Sequence, residues 1–210
     1  MSSIHTAIAA DRMTEFSRKM FLFSAEQALT DKRTVITFDD LIFGFRSALH
    51  ESRIEYTTKT VNKSFITHHN PERYCRMSWS HDIESSMFIA EQKRSMRGAH
   101  CIDISDIVYG VLNSEYVLSS HRSDFKNIYI LYLHLHIERT ENFPHPWIFM
   151  ACAFFCLIAS LTLILMGMPN EFLMMGVFLS LLSMVFAVIS WATRKSIPAM
   201  QEDITRLSRE

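Results

Sequence analysis

Glycine and proline are scarce, five of each in 210 residues, while 49% of the chain is hydrophobic. That balance excludes a glycine- or proline-rich low-complexity chain and suits one compact domain joined to something unusually apolar. Charge is missing where the apolar residues gather. None lies in 147–170 and, beyond Glu171, none lies in 172–193. A helix needs about 20 apolar residues, at roughly 1.5 Å each, to cross a hydrocarbon core of about 30 Å. Each run is long enough. Between them Gly167, Met168, Pro169, Asn170 and Glu171 form a helix-ending turn, so the spacing predicts transmembrane helices at 147–167 and 172–193 joined as a hairpin. A buried hairpin of a soluble protein is the competing reading, disfavoured because paired uncharged runs of this length are rare in soluble folds.

Other absences narrow the function. The first 30 residues carry Asp11, Arg12, Glu15, Arg18 and Lys19 and hold no apolar stretch of signal-peptide length. Of the four cysteines, Cys75 and Cys101 lie outside the apolar runs with no paired spacing, which fits a reducing compartment. Cys152 and Cys156, one helical turn apart in the first run, read as small packing residues. The net charge is −1, no basic cluster of nucleic-acid type occurs, and no Gly-x-x-x-x-Gly-Lys-Ser/Thr loop is present. Nucleic acid as partner and nucleotide hydrolysis of the P-loop type are excluded on those grounds.

What the chain does have is one stretch twice, 66 residues apart. Without a gap, Met13 falls on Trp79, Phe21 on Met87, Phe23 on Ile89, Ser24 on Ala90 and Ile36 on Ile102. Phe38-Asp39-Asp40-Leu41-Ile42-Phe43-Gly44-Phe45 then falls on Ile104-Ser105-Asp106-Ile107-Val108-Tyr109-Gly110-Val111. A register one residue shorter would align Ala25-Glu26-Gln27 with Ala90-Glu91-Gln92 but breaks both flanking matches. Helical periodicity runs through both copies. Thr14 is a fitting N-cap, Glu15 favours the positive end of the dipole, and Ser17, Met20, Phe21, Ser24, Ala25 and Ala28 recur at spacings of three and four. A second, short helix follows, capped by Asp39 or Thr37, with Leu41, Ile42 and Phe45 on its buried face. In the second copy the same elements fall at about 80–96 and 105–113, the first presenting Ile83, Met87, Phe88 and Ala90. The fold class expected is all-α, two copies burying their apolar faces against one another as one domain. Gly44 and Gly110 sit inside helices, where glycine costs about 1 kcal/mol relative to alanine. The matched pair reads as close approach of two helix backbones.

This order of capping Thr, long helix with a small-residue face, loop ending in Ile and Asp-Leu-Ile-Phe-Gly helix resembles the tandem repeat of the Clp amino-terminal domain over about 13–135. The family pattern after the loop Ile is Gly-Thr-Glu-His and then Leu-Leu-Leu-Gly-Leu-Leu. Here the family His is Asp40 in one copy and Asp106 in the other. The resemblance implies a non-catalytic domain that binds substrates, adaptors or sheath-like partners, here without the AAA+ ring it normally serves. In some members the capping Thr and the Glu of Thr-Glu-His help to hold a phosphorylated arginine. Thr14 and Asp39 keep that anion chemistry open in the first copy, whereas Ser80 and Ser105 in the second lose the acid; ordinary capping is the favoured account of all four.

The domain order expected is an extension at 1–12, the Clp-N-like double repeat at 13–140, a linker at 141–146, the two membrane helices, and a cytoplasmic amphipathic tail at 194–210. In that tail Ile197, Met200, Ile204 and Leu207 share a face, suited to a membrane surface or a coiled contact between subunits, so self-association stays open. The segment 52–75 is a long polar connector between the copies. Lys126, Arg139, Arg194 and Lys195 flank the open side of the hairpin and the turn has no Lys or Arg, which predicts both termini in the cytoplasm of a bacterial inner membrane. His68, His69, His134, His136 and His145 raise a metal reading, and Leu131 to Ile137 alternates as an edge strand would, with a final helix as the competing reading. No Cys or carboxylate completes a ligand set, so neither metal nor cofactor is expected. No nucleophile-elbow sequence places a triad. Three functions follow from different classes. The first is a membrane-tethered module binding a cytoplasmic protein or peptide. The second is an immunity-type protein protecting the bilayer from a bacterial toxin, and the third a hydrolase with an unrecognised site; the first is favoured.

Overall fold

A computed structural model of the chain describes residues 12–58, 77–167 and 171–209. The fold is all-α: about 80% of the described residues are helical, with almost no strand among them. The chain divides into two compact units, Met1–Tyr132 and Leu133–Glu210.

In the first unit, α1 (Glu15–Thr30) leads through β1 (Val35–Ile36) to α2 (Phe38–Thr58). Then β2 (Ser78–Trp79), α3 (His81–Met96), α4 (Ile104–Asn113) and α5 (Ser119–Glu141) follow, the last belonging to this unit as far as Tyr132. The six residues that helical spacing puts on one face of α1 are the six it buries. Helix α1 ends as its sequence permits: Lys32 takes a left-handed φ of 58°, and the Arg33 amide returns to the Ala28 carbonyl at 2.8 Å. Sixty-six residues on, Gly98 has φ 64° and the Ala99 amide returns to Arg94 at 3.2 Å.

The strands cross between the two helix pairs. Ile36 pairs in parallel with Trp79, and Met13 bridges Ile102. These two pairings are each other's image at the 66-residue offset. Each helix pair thus lends one extended segment to the other, which makes the four helices a single folding unit. At Gly44 an added Cβ would overlap the Met20 carbonyl oxygen and lie 2.8 Å from the Ser24 amide nitrogen. At Gly110 it would overlap the Ser86 carbonyl oxygen and lie 3.1 Å from the Ala90 nitrogen. Met20 and Ser24 are the equivalents of Ser86 and Ala90. Only a residue without a Cβ lets the backbones meet at this distance.

Two sequence expectations are corrected here and one open alternative is resolved. Helix α2 is not short: Ala48 and Leu49 extend its buried face, and it runs on through the start of the supposed connector to Thr58. The rest of that connector, with His68, His69 and Cys75, lies outside the described residues. Phe88 is not part of the α3 core but 66% exposed, because its neighbour Met87 already occupies the inward position. The segment around His134 and His136 is helical, not an edge strand. Phe125, Ile128, Tyr129, Leu133 and Ile137 are its buried residues, at spacings of three and four, and the apparent alternation was incidental to that helical stripe.

In the second unit, α6 (Pro146–Leu165) and α7 (Glu171–Lys195) form an antiparallel hairpin, followed by α8 (Ile197–Arg209). Both hairpin helices are long and apolar enough to span a membrane. Pro146 opens α6, where its missing N–H costs nothing. Gly167 turns the chain out of α6 at φ 79°; residues 168–170 of the turn lie outside the described residues. The buried residues of the hairpin are small. Ala153 and Ser160 on α6 and Gly176, Ser180, Ala187 and Ser190 on α7 lie along seams of three-, four- and seven-residue spacing. At Gly176 an added Cβ would overlap the Ser160 side chain. The expected linker shrinks to 142–145, since α5 runs to Glu141. Two of its carbonyls are held, and the last of α5 with them: Ser190 Oγ donates to Pro144 at 2.7 Å, and Arg194 Nη2 donates to Phe143 at 2.9 Å and to Glu141 at 3.1 Å. On α8, Leu207 is buried and Ile197, Met200 and Ile204 are half-buried.

Candidate functional site

The candidate residues of the first unit gather where helix N-termini meet across the two copies. The backbone brings them there. Because Met13 bridges Ile102, the Thr14 amide donates to the Ile102 carbonyl at 3.0 Å and the start of α1 lies beside the start of α4. Because Ile36 pairs with Trp79, the Ser80 amide donates to the Ile36 carbonyl at 2.9 Å and the start of α3 lies beside that of α2.

At the first junction Thr14 Oγ1 lies 3.0 Å from Ser17 Oγ and donates to Asp103 Oδ1 at 3.3 Å. Ser105 Oγ donates to the other oxygen of Asp103 at 3.4 Å. The partner of Thr14 is therefore an acid from the other copy, not Asp39 of its own. Asp39 is exposed instead and faces His121 Nε2 at 3.2 Å, while the His121 ring stacks on Phe38 at 5.1 Å. At the second junction Ser80 Oγ is buried without a hydrogen-bond partner among the described residues. Thr14 and Ser80 both stand at N-cap positions, yet neither side chain makes a capping bond.

The caps that do form come from Asp40 and Asp106, three residues into their helices. Asp40 Oδ2 accepts from the Thr37 amide and from Thr37 Oγ1, both at 2.8 Å. Asp106 Oδ2 accepts from the Asp103 amide at 3.0 Å. Both carboxylates are almost fully buried, and each is met by a guanidinium. Arg33 grips Asp40 with both Nη atoms at 2.7 and 2.6 Å, and Arg97 grips Asp106 through Nε at 3.0 Å and through Nη2. Burial pushes the Asp40 carboxyl upward, but the hydrogen bonds from Arg33 and Thr37 outweigh it and hold the group below the ordinary carboxylate range. The same pairing raises Arg33.

Chemically, these junctions are self-neutralised. The amides and dipoles that would attract an anion are already answered by Asp40, Asp103 and Asp106, and Asp39, Asp82 and Glu15 add negative charge in the same first turns. The structure therefore brings Thr14 and Ser105 together around Asp103 and leaves Asp39 and Ser80 apart from them. His134 and His136, two positions apart on α5, project about 200° from each other on a helix of 3.6 residues per turn and do not form a chelating pair.

Arg33 and Arg97 were missed by sequence reasoning. The offset that aligns everything else places Arg33 on Ala99 and Arg97 on Asp31. The two arginines reach equivalent acids from opposite sides of the left-handed residue that ends the preceding helix, so comparison at a fixed offset hides them. No family model matches the chain, and no curated protein matches it significantly.

Proposed function

We propose that this chain is a membrane-anchored, non-catalytic module that recruits a cytoplasmic protein or peptide through a Clp-N-like double repeat. The hairpin holds the complex at a bacterial inner membrane, with both termini in the cytoplasm. The observation that carries the binding role is the surface of the first unit. Phe43 and Tyr109, 66 residues apart, are 46% and 41% exposed on α2 and α4, and Phe88 stands out from α3. Large aromatic side chains left in water beside a closed core are the usual anchors of a protein interface. The crossed strands, the matched helix ends and the matched glycines support the tandem-repeat reading. The membrane role is supported by two helices of spanning length whose large apolar side chains face outward. Arg194 and Lys195 at the end of α7 support the orientation through the excess of basic residues on cytoplasmic flanks.

The test is in-cell photo-crosslinking of the full-length chain with the reactive group at position 88, comparing the intact surface with Phe43→Ser and Tyr109→Ser. The expected result is a discrete adduct that both substitutions weaken while the melting temperature holds. Absence of any protein adduct at this position, or an adduct indifferent to both substitutions, overturns the binding role.

A further inference from the structure

Three contacts fix the register of the hairpin. Ser190 meets Pro144, the Phe149 and Phe186 rings stack at 5.7 Å, and Gly176 faces Ser160. In each pair the residue numbers sum to nearly the same value, so levels along the two helices can be matched. Trp191 then lies opposite Pro144, and Trp147 one helical turn inside it, a difference of roughly 5 Å. Both indoles are well exposed, at 59% and 64%. From Trp147 to Gly167 the helical rise amounts to about 30 Å, the thickness of a hydrocarbon core. One turn further out, Lys195 Nζ stands 5.3 Å from the Trp191 ring centre. At the same level Arg194 and Ser190 satisfy the backbone carbonyls of the non-helical residues Phe143 and Pro144, as entry into an interface requires. The closed end, residues 166–172, contains neither Trp nor Tyr.

We infer that Trp147 and Trp191 form a one-sided interfacial anchor that seats the open end of the hairpin in the lipid headgroup layer, leaving the closed end unanchored. Indole is apolar over most of its surface and carries one N–H donor, so it gains most where hydrocarbon meets headgroup. A cation just outside it is favoured by the lipid phosphates there. The occupant of this exposed surface is therefore phospholipid. The inference rests on the membrane reading and goes beyond it, because a hairpin could span a bilayer with its tryptophans at any depth.

The experiment is depth-dependent fluorescence quenching of the full-length chain in phosphatidylcholine vesicles brominated either on the upper acyl carbons or near the chain ends. The chain has three tryptophans, so Trp147→Phe and Trp191→Phe are measured singly against the parent and each indole's signal is taken by difference. Both positions are exposed, and neither substitution disturbs the core. The expected result is quenching by the shallow bromines at least twofold stronger than by the deep ones at both positions. Stronger quenching by the deep bromines at either position overturns the anchor while leaving the membrane reading standing. Absence of quenching by either lipid overturns the membrane reading itself, and the anchor with it.

Discussion

The two units use the same apolar residues in opposite ways. In the first, large side chains fill the core: Met20, Phe45 and Phe125 are closed off completely, and rings pack on rings, Phe45 against Phe125 at 4.9 Å and Phe16 against Tyr132 at 4.7 Å. In the hairpin the buried positions are Ala153, Ser160, Gly176, Ser180, Ala187 and Ser190, while Phe154, Phe155 and Phe178 face outward. Water drives large apolar groups together, whereas between helices in lipid only close packing and hydrogen bonding distinguish inside from outside. The inversion is the pattern expected if the first unit meets water and the hairpin helices, long and apolar enough to span a membrane, meet lipid.

The sharpest way to break this comparison is to remove the same ring from each unit. Phe45→Ala should destabilise the first unit by about 3–5 kcal/mol, the usual range for emptying a buried phenylalanine site. Phe154→Ala in detergent micelles should move stability by less than about 0.5 kcal/mol, as for an exposed site. Thermal melting of the full chain, followed through helix content, reads both, and comparable losses would remove the inside-out distinction.

Glycine is the feature the two units share. Gly44→Leu, Gly110→Leu and Gly176→Leu should each cost about 1–3 kcal/mol by overpacking, in water and in micelles alike. In the first unit the obstacles include backbone, the Met20 and Ser86 carbonyls, with the Ser24 hydroxyl beside the former; in the hairpin the nearest obstacle is the short Ser160 side chain. Ser160→Gly should accordingly relieve Gly176→Ala. Restored melting in the double variant checks this, and an additive loss would place the strain elsewhere.

Acid separates the units again. The depressed Asp40 carboxyl binds its proton more weakly in the folded state than in the unfolded one. Its contribution to stability is therefore complete above the ordinary carboxylate range, about pH 4, and disappears as pH falls through the lower folded value. Melting of the parent should drop on acidification below that range. Asp40→Asn should be less stable at neutral pH and lose less on acidification, whereas equal acid slopes for parent and variant would assign the effect to other carboxylates.

A further small effect has the opposite sign. Lys32 holds a left-handed φ where the second copy has Gly98. Relief of roughly 1–2 kcal/mol of side-chain crowding, offset by the flexibility glycine adds to the unfolded chain, should leave Lys32→Gly stabilised by about 0.5 kcal/mol. A shift of the denaturation midpoint at constant slope reads it, and a lower midpoint would show that the Lys32 side chain contributes more than its backbone costs.

Much of this was legible in the chain because helical geometry is local. A rise and rotation fixed by the backbone put Ser17, Met20, Phe21, Ser24, Ala25 and Ala28 on one face whatever lies opposite, and the uncharged runs announce two helices of spanning length by composition alone. The same locality explains the failures. The Leu and Ile alternation at 131–137 fits a strand over a few residues, and only the spacing back to Phe125 reveals the helix. Helix α2 is longer than expected because its buried stripe continues from Leu41 and Phe45 to Ala48 and Leu49 at the same helical spacing.

By itself, the sequence determined the helices, the 66-residue duplication and the two apolar runs, since each depends on residues a few positions apart or on a fixed offset. The tertiary structure alone decided that the strands cross between copies, that Thr14 meets Asp103 and not Asp39, and that Arg33 and Arg97 close on Asp40 and Asp106 from different offsets. Those partners are chosen by which backbones come to lie side by side. A long, flexible guanidinium can reach the same carboxylate from more than one place in the chain, so its position in the sequence does not disclose its target.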